Sequence, residues 1–180
     1  GSVNASTFGD LIDFFDGRED MQRRILRTPL DPIVTFSDDP LRMMRAARFA
    51  SQLMFSVEPE ALEAMERMAQ RITIISQERI TDEFLKILAS PKPSIGLKIL
   101  FETGLLKYVF PEVHNLAGID LVQVGEQEYG HKDVFWHTLQ VVDNVSEMSD
   151  NVWLRFATLM HDIAKPRTKR FVNGVGWTFD

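Results

Sequence analysis

Apolar side chains recur every three to four residues through most of the chain after residue 37, and this spacing restricts the possible fold more than any other feature. Such a period places the apolar side chains on one face of an α-helix. A first helix is predicted from Ser37 to about Leu53. Further helices are predicted over Glu58–Met68, Thr81–Leu88, Ser94–Phe101, Leu105–Val109, Asp133–Val145 and Trp153–Ala164. We therefore expect a mostly α protein built as a helical bundle.

Local signals mark where two of these helices begin and end. Ser37, Asp38 and Asp39 before Pro40 offer a capping side chain, acids in the first turn and an early proline. Ser149 and Asp150 are predicted to cap the last helix. Pro166 is predicted to end it, because proline cannot continue the backbone ladder.

The first 36 residues lack this regularity, and glycines and prolines interrupt them. Leu11–Phe15 and Arg24–Arg27 are predicted as short strands or brief helices. Two isolated strands cannot bury both of their faces, so we expect that partner strands are missing and that this segment is a remnant of an α/β unit. Gly1 and Ser2 resemble a cloning remnant, so the natural start is expected further upstream.

Composition narrows the function classes only slightly. The chain has no cysteine, which excludes disulfides and thiolate metal ligands and fits a reducing, cytoplasmic compartment. No apolar run approaches the roughly 18 residues that span a bilayer, so no membrane partner is expected. The net charge of −6 does not by itself indicate nucleic-acid binding. All basic residues in the first 50 positions are arginines, whose planar fork suits phosphates and base edges better than lysine does.

Four charged residues follow one another at intervals of three at the start of the first long helix: Asp39, Arg42, Arg45 and Arg48. Residues three apart are neighbours on a helix surface, so they form one polar ridge. An acid beside an arginine presents an acceptor and donors together, as the edge of a nucleic-acid base requires. The alternative is a chain of surface ion pairs, each contributing roughly 0–1 kcal/mol.

Four segments around this ridge, which carry three motifs, resemble the tRNA nucleotidyltransferase and poly(A) polymerase family, of the bacterial CCA-adding type. Asp10–Asp20, containing Asp13, Gly17 and Asp20, is similar to the hinge motif of that family. Ile25–Pro29 and Ser37–Phe49 are similar to its nucleotide-recognition region. Ile75–Ile80, containing Glu78 and Arg79 and followed by Glu83, is similar to the motif that supports the neck of the enzyme. The resemblance covers roughly residues 8–110.

This resemblance implies roles for the ridge. Asp39 and Arg42 would read the Watson–Crick edge of incoming CTP or ATP. Arg45 and Arg48 would support the triphosphate or that reading pair. Asp38, in the supporting motif, stands where many members carry Glu. The partners implied are CTP, ATP and the 3′ end of tRNA or another RNA.

Polymerisation in this family also needs two carboxylates that hold Mg²⁺ on a strand after a Gly-Gly motif. The chain contains no Gly-Gly and no Asp-x-Asp sequence. It is therefore expected to be inactive in polymerisation by itself, as part of a parent enzyme that adds CCA, or A alone, to RNA 3′ ends.

A second group of candidate residues lies in the last 50 residues: His137, His161 and Asp162. On the residues alone, His137 could cap or pack, and His161-Asp162 could be a helix-end pair. The segments His131–Asp143 and Leu159–Pro166, however, resemble the signature of HD phosphohydrolases. That resemblance implies a divalent metal on the three residues, with Lys165 near a phosphate. The HD pattern normally includes a further downstream Asp. Asp143 is its nearest substitute, but its sequence position does not match the pattern. The metal site is therefore expected to be incomplete and weak, and it could be empty.

These motifs divide the chain into four predicted parts. Residues 1–36 are a remnant of the nucleotidyltransferase head, 37–110 a helical neck that binds RNA and nucleotide, 111–130 a linker, and 131–180 the N-terminal part of an HD domain. Two alternatives stay open: an HD-domain metal-dependent phosphohydrolase, and a non-enzymatic helical domain that binds RNA or a partner.

Overall fold

The computed structural model describes the backbone of residues 22–116, 130–172 and 176–179, and the side chains of residues 22–115 and 135–161. Helices predominate in these ranges, which confirms the mostly α fold class. The helices are α1 (Pro32–Asp38), α2 (Leu41–Leu53), α3 (Pro59–Met68), α4 (Gln77–Ala89), α5 (Pro93–Glu102), α6 (Leu106–Val109), α7 (Pro111–Leu116), α8 (Gly130–Met148) and α9 (Val152–Thr168), with a 3₁₀ helix at Ala69–Ile74 after α3. No helix in the described ranges combines the length and the hydropathy needed to cross a bilayer.

The strands are short and form two separate pairs. Strands β1 (Ile25–Leu26) and β2 (Ser56–Val57) pair in parallel, while β3 (Lys169–Val172) and β4 (Gly176–Phe179) form an antiparallel pair. The expectation that β1 lacks a partner is wrong, because β2 lies within this chain and Ser56 N–H donates to the Arg24 carbonyl at 3.0 Å. The other predicted strand, Leu11–Phe15, lies outside the described residues.

Helix α2 is the centre of the fold and packs against both α4 and α5. Its sequence contains no glycine, no proline and no β-branched residue, and it is rich in Leu, Met, Ala and Arg, which have high helix propensities. Met43, Met44 and Phe49 are at most 1% exposed. Burying each such side chain contributes about 1.5–3 kcal/mol. The helix ends where Met54 adopts a left-handed backbone conformation, with φ of 54°. Because so much of α2 is buried, it can offer only a narrow surface to a ligand.

The chain enters α2 differently from the prediction. Ser37 and Asp38 end α1, which the sequence analysis did not predict, although Asp31 before Pro32 is a suitable helix start. The Asp31 side chain accepts a hydrogen bond from Ile33 N–H at 2.8 Å and so caps α1. Asp39 caps α2 in the same way, since its Oδ1 accepts from Leu41 N–H at 3.1 Å. The cap therefore falls on one of the residues that the resemblance assigns to nucleotide recognition.

Helix α5 lies unusually close to α2. A Cβ on Gly96 would lie 2.5 Å from Ser51 Oγ and 2.9 Å from the Ala47 carbonyl oxygen, so only glycine fits at this crossing. Ser51 Oγ accepts a hydrogen bond from Gly96 N–H at 2.6 Å. In the first turn of α5, Ser94 N–H donates to Asp143 Oδ1 at 3.0 Å, and Ser94 Oγ lies 2.5 Å from Asp143 Oδ2. Side chains from α2 and α8 thus satisfy amides that a local cap usually satisfies.

The predicted linker over residues 111–130 begins instead with helix α7. Val113 on this helix is fully buried, and α7 contacts α6, α8 and α9. The sequence pattern was too short to reveal this helix, because a helix of six residues shows hardly two turns of periodicity. Residues 117–129, the rest of the predicted linker, lie outside the described residues.

Helices α8 and α9 form an antiparallel hairpin that packs on α4, α5 and α7. The predicted cap at Ser149-Asp150 is wrong by one position, since Asn151 Oδ1 accepts from Trp153 N–H at 3.0 Å. Pro166 does not end the helix, which continues to Thr168. Proline lacks a backbone N–H and so removes one hydrogen bond from a helix. A helix with only two further residues can therefore continue past a proline.

One buried arginine joins the hairpin to the end of helix α4. The Arg155 side chain is 3% exposed and makes five hydrogen bonds of 2.7–3.1 Å to backbone carbonyls. These carbonyls belong to Leu88 and Ser90 at the end of α4, and to Ser146 and Ser149 at the end of α8. The carboxyl end of a helix carries a partial negative charge. The guanidinium is therefore stabilised by two helix ends that meet around it.

Candidate functional site

The accessible edge of α2 lies at the start of this helix and consists of charged residues. Between positions 39 and 51, the side chains that are not buried belong to Asp39, Arg42 and Arg45. Arg48, the fourth member of the predicted ridge, is buried. The structure thus brings three of the four residues to one accessible edge and separates the fourth from it.

Asp39 and Arg42 are each held by a contact with a neighbouring element. Asp39 Oδ2 lies 3.7 Å from Nη2 of Arg79 on α4, and the Asp39 side chain is 30% exposed. Arg42 Nη1 donates to the carbonyl of Thr35 on α1 at 3.3 Å. A carboxylate acceptor and a guanidinium donor therefore stand one helical turn apart with restricted mobility. This pairing of acceptor and donor suits the hydrogen-bonding edge of a base.

Arg45 and Arg48 converge on one carboxylate from α4. Glu83 Oε2 lies 3.0 Å from Arg48 Nε, and Glu83 Oε1 lies 3.5 Å from Arg45 Nε. The Arg48 and Glu83 side chains are 6% and 5% exposed, and that of Arg45 is 29% exposed. The Arg48 guanidinium also lies 4.6 Å from the centre of the Phe49 ring. Two cations facing one anion leave a positive charge next to the accessible edge.

The other residues of the supporting motif lie near the same edge. Asp38 is exposed at the end of α1, and Glu78 is exposed in the first turn of α4. Arg79 is half exposed and contacts Asp39, as described above. Arg71, which the sequence analysis did not identify, donates from Nη2 to the Ser37 carbonyl at 3.4 Å. No sequence signal could have found Arg71, because its contact depends on how the 3₁₀ helix folds back towards α1.

The predicted metal ligands lie on two helices that pack against each other. His137 lies on α8, twelve residues before Ser149, and His161 lies on α9, ten residues after Asn151. Because the two helices run antiparallel, both histidines lie at the end of the hairpin that is remote from its turn at residues 149–151. Both imidazoles are exposed. The side chain of Asp162 lies outside the described residues. Among the side chains that are described, no group of three or more His, Asp or Glu residues is arranged to hold a metal.

Asp143, the nearest substitute for a further metal ligand, has a different role. Both of its carboxylate oxygens accept hydrogen bonds from Ser94 at the start of α5. The negative charge faces the positive end of that helix, where an acid is stabilising. This carboxylate is therefore occupied in holding α8 on α5.

Comparison with known proteins confirms the resemblance to CCA-adding enzymes. Residues 54–116 match a family model described as a probable RNA- and SrmB-binding site of polymerase A. The chain is 37% identical over 165 residues to the multifunctional CCA protein of Methylococcus capsulatus, in an alignment covering 89% of this chain and 37% of that protein. Its fold is similar to the crystal structure of the Bacillus stearothermophilus CCA-adding enzyme in complex with CTP. That similarity has a TM-score of 0.54 and 31% identity, over 90% of this chain and 44% of the enzyme. The chain thus spans less than half the length of either protein.

Proposed function

Because the chain belongs to the family of CCA-adding nucleotidyltransferases and poly(A) polymerases, we propose that it supplies the nucleotide-recognition edge and the RNA-binding neck of such an enzyme. The whole enzyme would add CCA, or A alone, to the 3′ ends of tRNA or other RNA from CTP and ATP. The relative that aligns over most of this chain is named a multifunctional CCA protein, and the similar solved structure contains CTP.

The observation that carries this proposal is the accessible edge of α2. The start of a helix that is buried from Ala46 to Ser51 presents two guanidinium groups and the carboxylate of Asp39, which caps it, and the first two residues, Asp39 and Arg42, are held from α4 and α1. In the proposed role, Asp39 accepts from an amino group of the base and Arg42 donates to its acceptors. Arg45 would then add positive charge near the triphosphate, while Arg48 holds Glu83 and positions the helix.

Nucleotide addition needs chemistry beyond this edge. Mg²⁺ would stabilise the charge that develops as the primer hydroxyl attacks the α-phosphate and pyrophosphate leaves. The carboxylates that hold Mg²⁺ in this family follow a Gly-Gly motif, and neither that motif nor an Asp-x-Asp pair occurs in this sequence. We therefore propose that this chain selects the nucleotide and binds RNA, and that it does not catalyse transfer by itself.

The proposed function and the helix packing together refine the predicted domain boundaries. Residues 1–36 would belong to the nucleotidyltransferase head and residues 37–110 to the neck. The hairpin of α8 and α9, within residues 131–180, would be the start of an HD domain that docks on the neck through Arg155 and Asp143. A linker within 111–130 would be confined to residues 117–129, because α7 packs with the bundle.

Replacing Arg42 by alanine in the full-length enzyme is expected to reduce base discrimination. A bidentate contact to a base edge contributes about 1–3 kcal/mol, so misincorporation of GTP or UTP should rise by about five- to 150-fold. The measurement is kcat/KM for each of the four nucleotides on a tRNA primer.

Arg67→Ala serves as the control for this measurement, because Arg67 is exposed on α3 and pairs only with Glu63 one turn away among the described residues. The 180-residue chain alone is expected to incorporate no nucleotide into the tRNA primer. Any incorporation in that sample therefore measures contaminating enzymes. Unchanged choice among the four nucleotides in Arg42→Ala would show that the recognition role is wrong.

A divalent metal on His137, His161 and Asp162 is a separate proposal. It is supported by the packing of α8 on α9 and by the shared end of the hairpin on which both histidines lie. Imidazole and carboxylate are suitable ligands for Mn²⁺ or Zn²⁺. Titration with Mn²⁺ should show weak binding to the chain, and binding should be lost in His137→Ala. The matched variant His114→Ala should bind as the wild type does. Equal binding by all three proteins would exclude this ligand set.

A further inference from the structure

A second polar surface lies away from the edge of α2, at the end of α5 and the start of α8. Lys98 Nζ lies 5.3 Å from the centre of the Trp136 ring, and the Phe101 ring lies 6.1 Å from Trp136 and 5.6 Å from His114. These four side chains therefore form a continuous row across three helices. Trp136 and His114 are partly exposed at its surface.

Helix α6 packs against α7, which carries His114. Lys107 Nζ lies 5.0 Å from the centre of the Tyr108 ring, which is also partly exposed. Burial lowers the pKa of His114, and the positive charge of Lys107 lowers it further. We call Lys98, Phe101, Lys107, Tyr108, His114 and Trp136 the lysine–aromatic strip.

The two lysines of the strip keep most of their charge available to a ligand. The Lys98 side chain is 54% exposed and meets Glu102 at 3.9 Å, a distance and exposure at which an ion pair contributes little. Lys107 is exposed, and within the described residues no carboxylate lies within 4.0 Å of its ammonium. Contact with an aromatic face restricts each ammonium group without neutralising it. Such lysines favour a polyanion, although the chain as a whole carries a net charge of −6.

We propose that the lysine–aromatic strip binds the phosphate backbone of RNA, with a partly exposed ring available to stack on an unpaired base. This inference rests on the proposed function and specifies where the RNA lies. Residues 54–116, which match the RNA-binding family model, contain the whole strip except Trp136. The strip thus extends the RNA surface onto α8, beyond the matched segment. Lysine contacts to phosphates and base stacking on aromatic rings are general means of binding RNA.

The strip lies at some distance from the nucleotide edge. Helix α5 crosses α2 where Gly96 meets Ala47 and Ser51. At 1.5 Å per residue, this crossing lies about 12–18 Å along α2 from Asp39, and Phe101 lies about 8 Å further along α5. An RNA whose 3′ end reaches Asp39 would therefore contact the strip with nucleotides upstream of that end.

The test measures binding of a fluorescently labelled RNA hairpin with a single-stranded 3′ tail to the 180-residue chain at several salt concentrations. Each lost phosphate contact reduces the slope of log K against log salt by about 0.7–0.9. Lys98→Gln with Lys107→Gln should therefore reduce the slope by about 1.4–1.8, which corresponds to about 25- to 60-fold weaker binding near 0.1 M salt if the affinities at 1 M salt are equal. Both lysines are exposed, so the fold should be retained, which the urea unfolding midpoint checks.

Lys86→Gln is the matched control, because Lys86 has a similar exposure of 47% and an equivalent ion pair with Asp82 at 3.9 Å. It should change neither the slope nor the affinity. Trp136→Leu should weaken binding, whereas Trp153→Leu, at a 65% exposed tryptophan on the other helix of the hairpin, should not.

The proposal is overturned if the double lysine variant binds like Lys86→Gln, or if the chain binds no RNA at all. Neither result bears on nucleotide choice, which the Arg42→Ala experiment decides separately in the full-length enzyme. If Arg42→Ala lost nucleotide choice while the double lysine variant kept its RNA binding, the nucleotide-recognition role would stand and the role of the lysine–aromatic strip would be wrong.

Discussion

Replacing Arg155 by alanine is expected to lower the free energy of unfolding by about 3–5 kcal/mol, because three buried carbonyls and the partly buried carbonyl of Ser149 would lose a charged donor at once. Water cannot easily replace the guanidinium, whose side chain is 3% exposed. Since α4 and α8 both end at this arginine, we also expect the hairpin to loosen from α4. Urea unfolding would give the stability, and hydrogen exchange of α8 and α9 would report the loosening.

Two variants separate this role from a general effect of charge. Arg155→Lys keeps the charge but lacks the planar fork that reaches both helix ends, so it should recover only part of the loss. Arg67→Ala removes an arginine whose side chain is 68% exposed and should change stability by at most about 1 kcal/mol. If Arg155→Ala were as stable as Arg67→Ala, the helix-end anchor would be refuted.

Replacing Glu83 by glutamine is expected to lower the free energy of unfolding by about 3 kcal/mol or more. Glutamine keeps the shape of the side chain but leaves Arg48 buried without its counter-charge. The positive charges of Arg48 and Arg45 would then repel each other on the same side of α2. Thermal and urea unfolding of the chain measure the loss directly.

A double variant distinguishes charge from packing at this position. Replacing a buried ion pair by apolar residues of similar volume is often close to neutral. Glu83→Leu combined with Arg48→Met should therefore be more stable than Glu83→Gln alone. Glu63→Gln, at a carboxylate 66% exposed, is the control and should have little effect. A double variant less stable than Glu83→Gln would mean that the shape of the pair, and not its charge balance, holds α4 on α2.

Much of the candidate site could be predicted because its members are local in sequence. The spacing of three from Asp39 to Arg45 places these side chains on one helix surface whatever surrounds that helix. The same argument predicted Arg48 as a surface residue, and there it failed. Helical spacing states which residues share a face, but the neighbouring helix decides which part of the face stays accessible. Here α4 brings Glu83 against Arg48 and buries both.

The paired strands show the same limit. Ile25–Leu26 could be predicted as a strand from its apolar side chains, but its partner Ser56–Val57 lies some 30 residues later and spans only two residues. Two residues are too few to show the alternation of apolar and polar side chains that identifies a strand. Helix α7 was missed for a similar reason, since six residues gain their stability from the burial of Val113 and not from local propensity.

The sequence by itself determined the helical architecture and the order of motifs along the chain, because helix periodicity, capping residues and motif spacing are properties of neighbouring residues. Only the tertiary structure decided the roles of Asp143, Arg155 and Ser51. Each of these side chains satisfies a helix end or a backbone amide at least 45 residues away in the sequence. The physical reason is that a buried polar group must find a partner in space, and the packing of the helices chooses that partner.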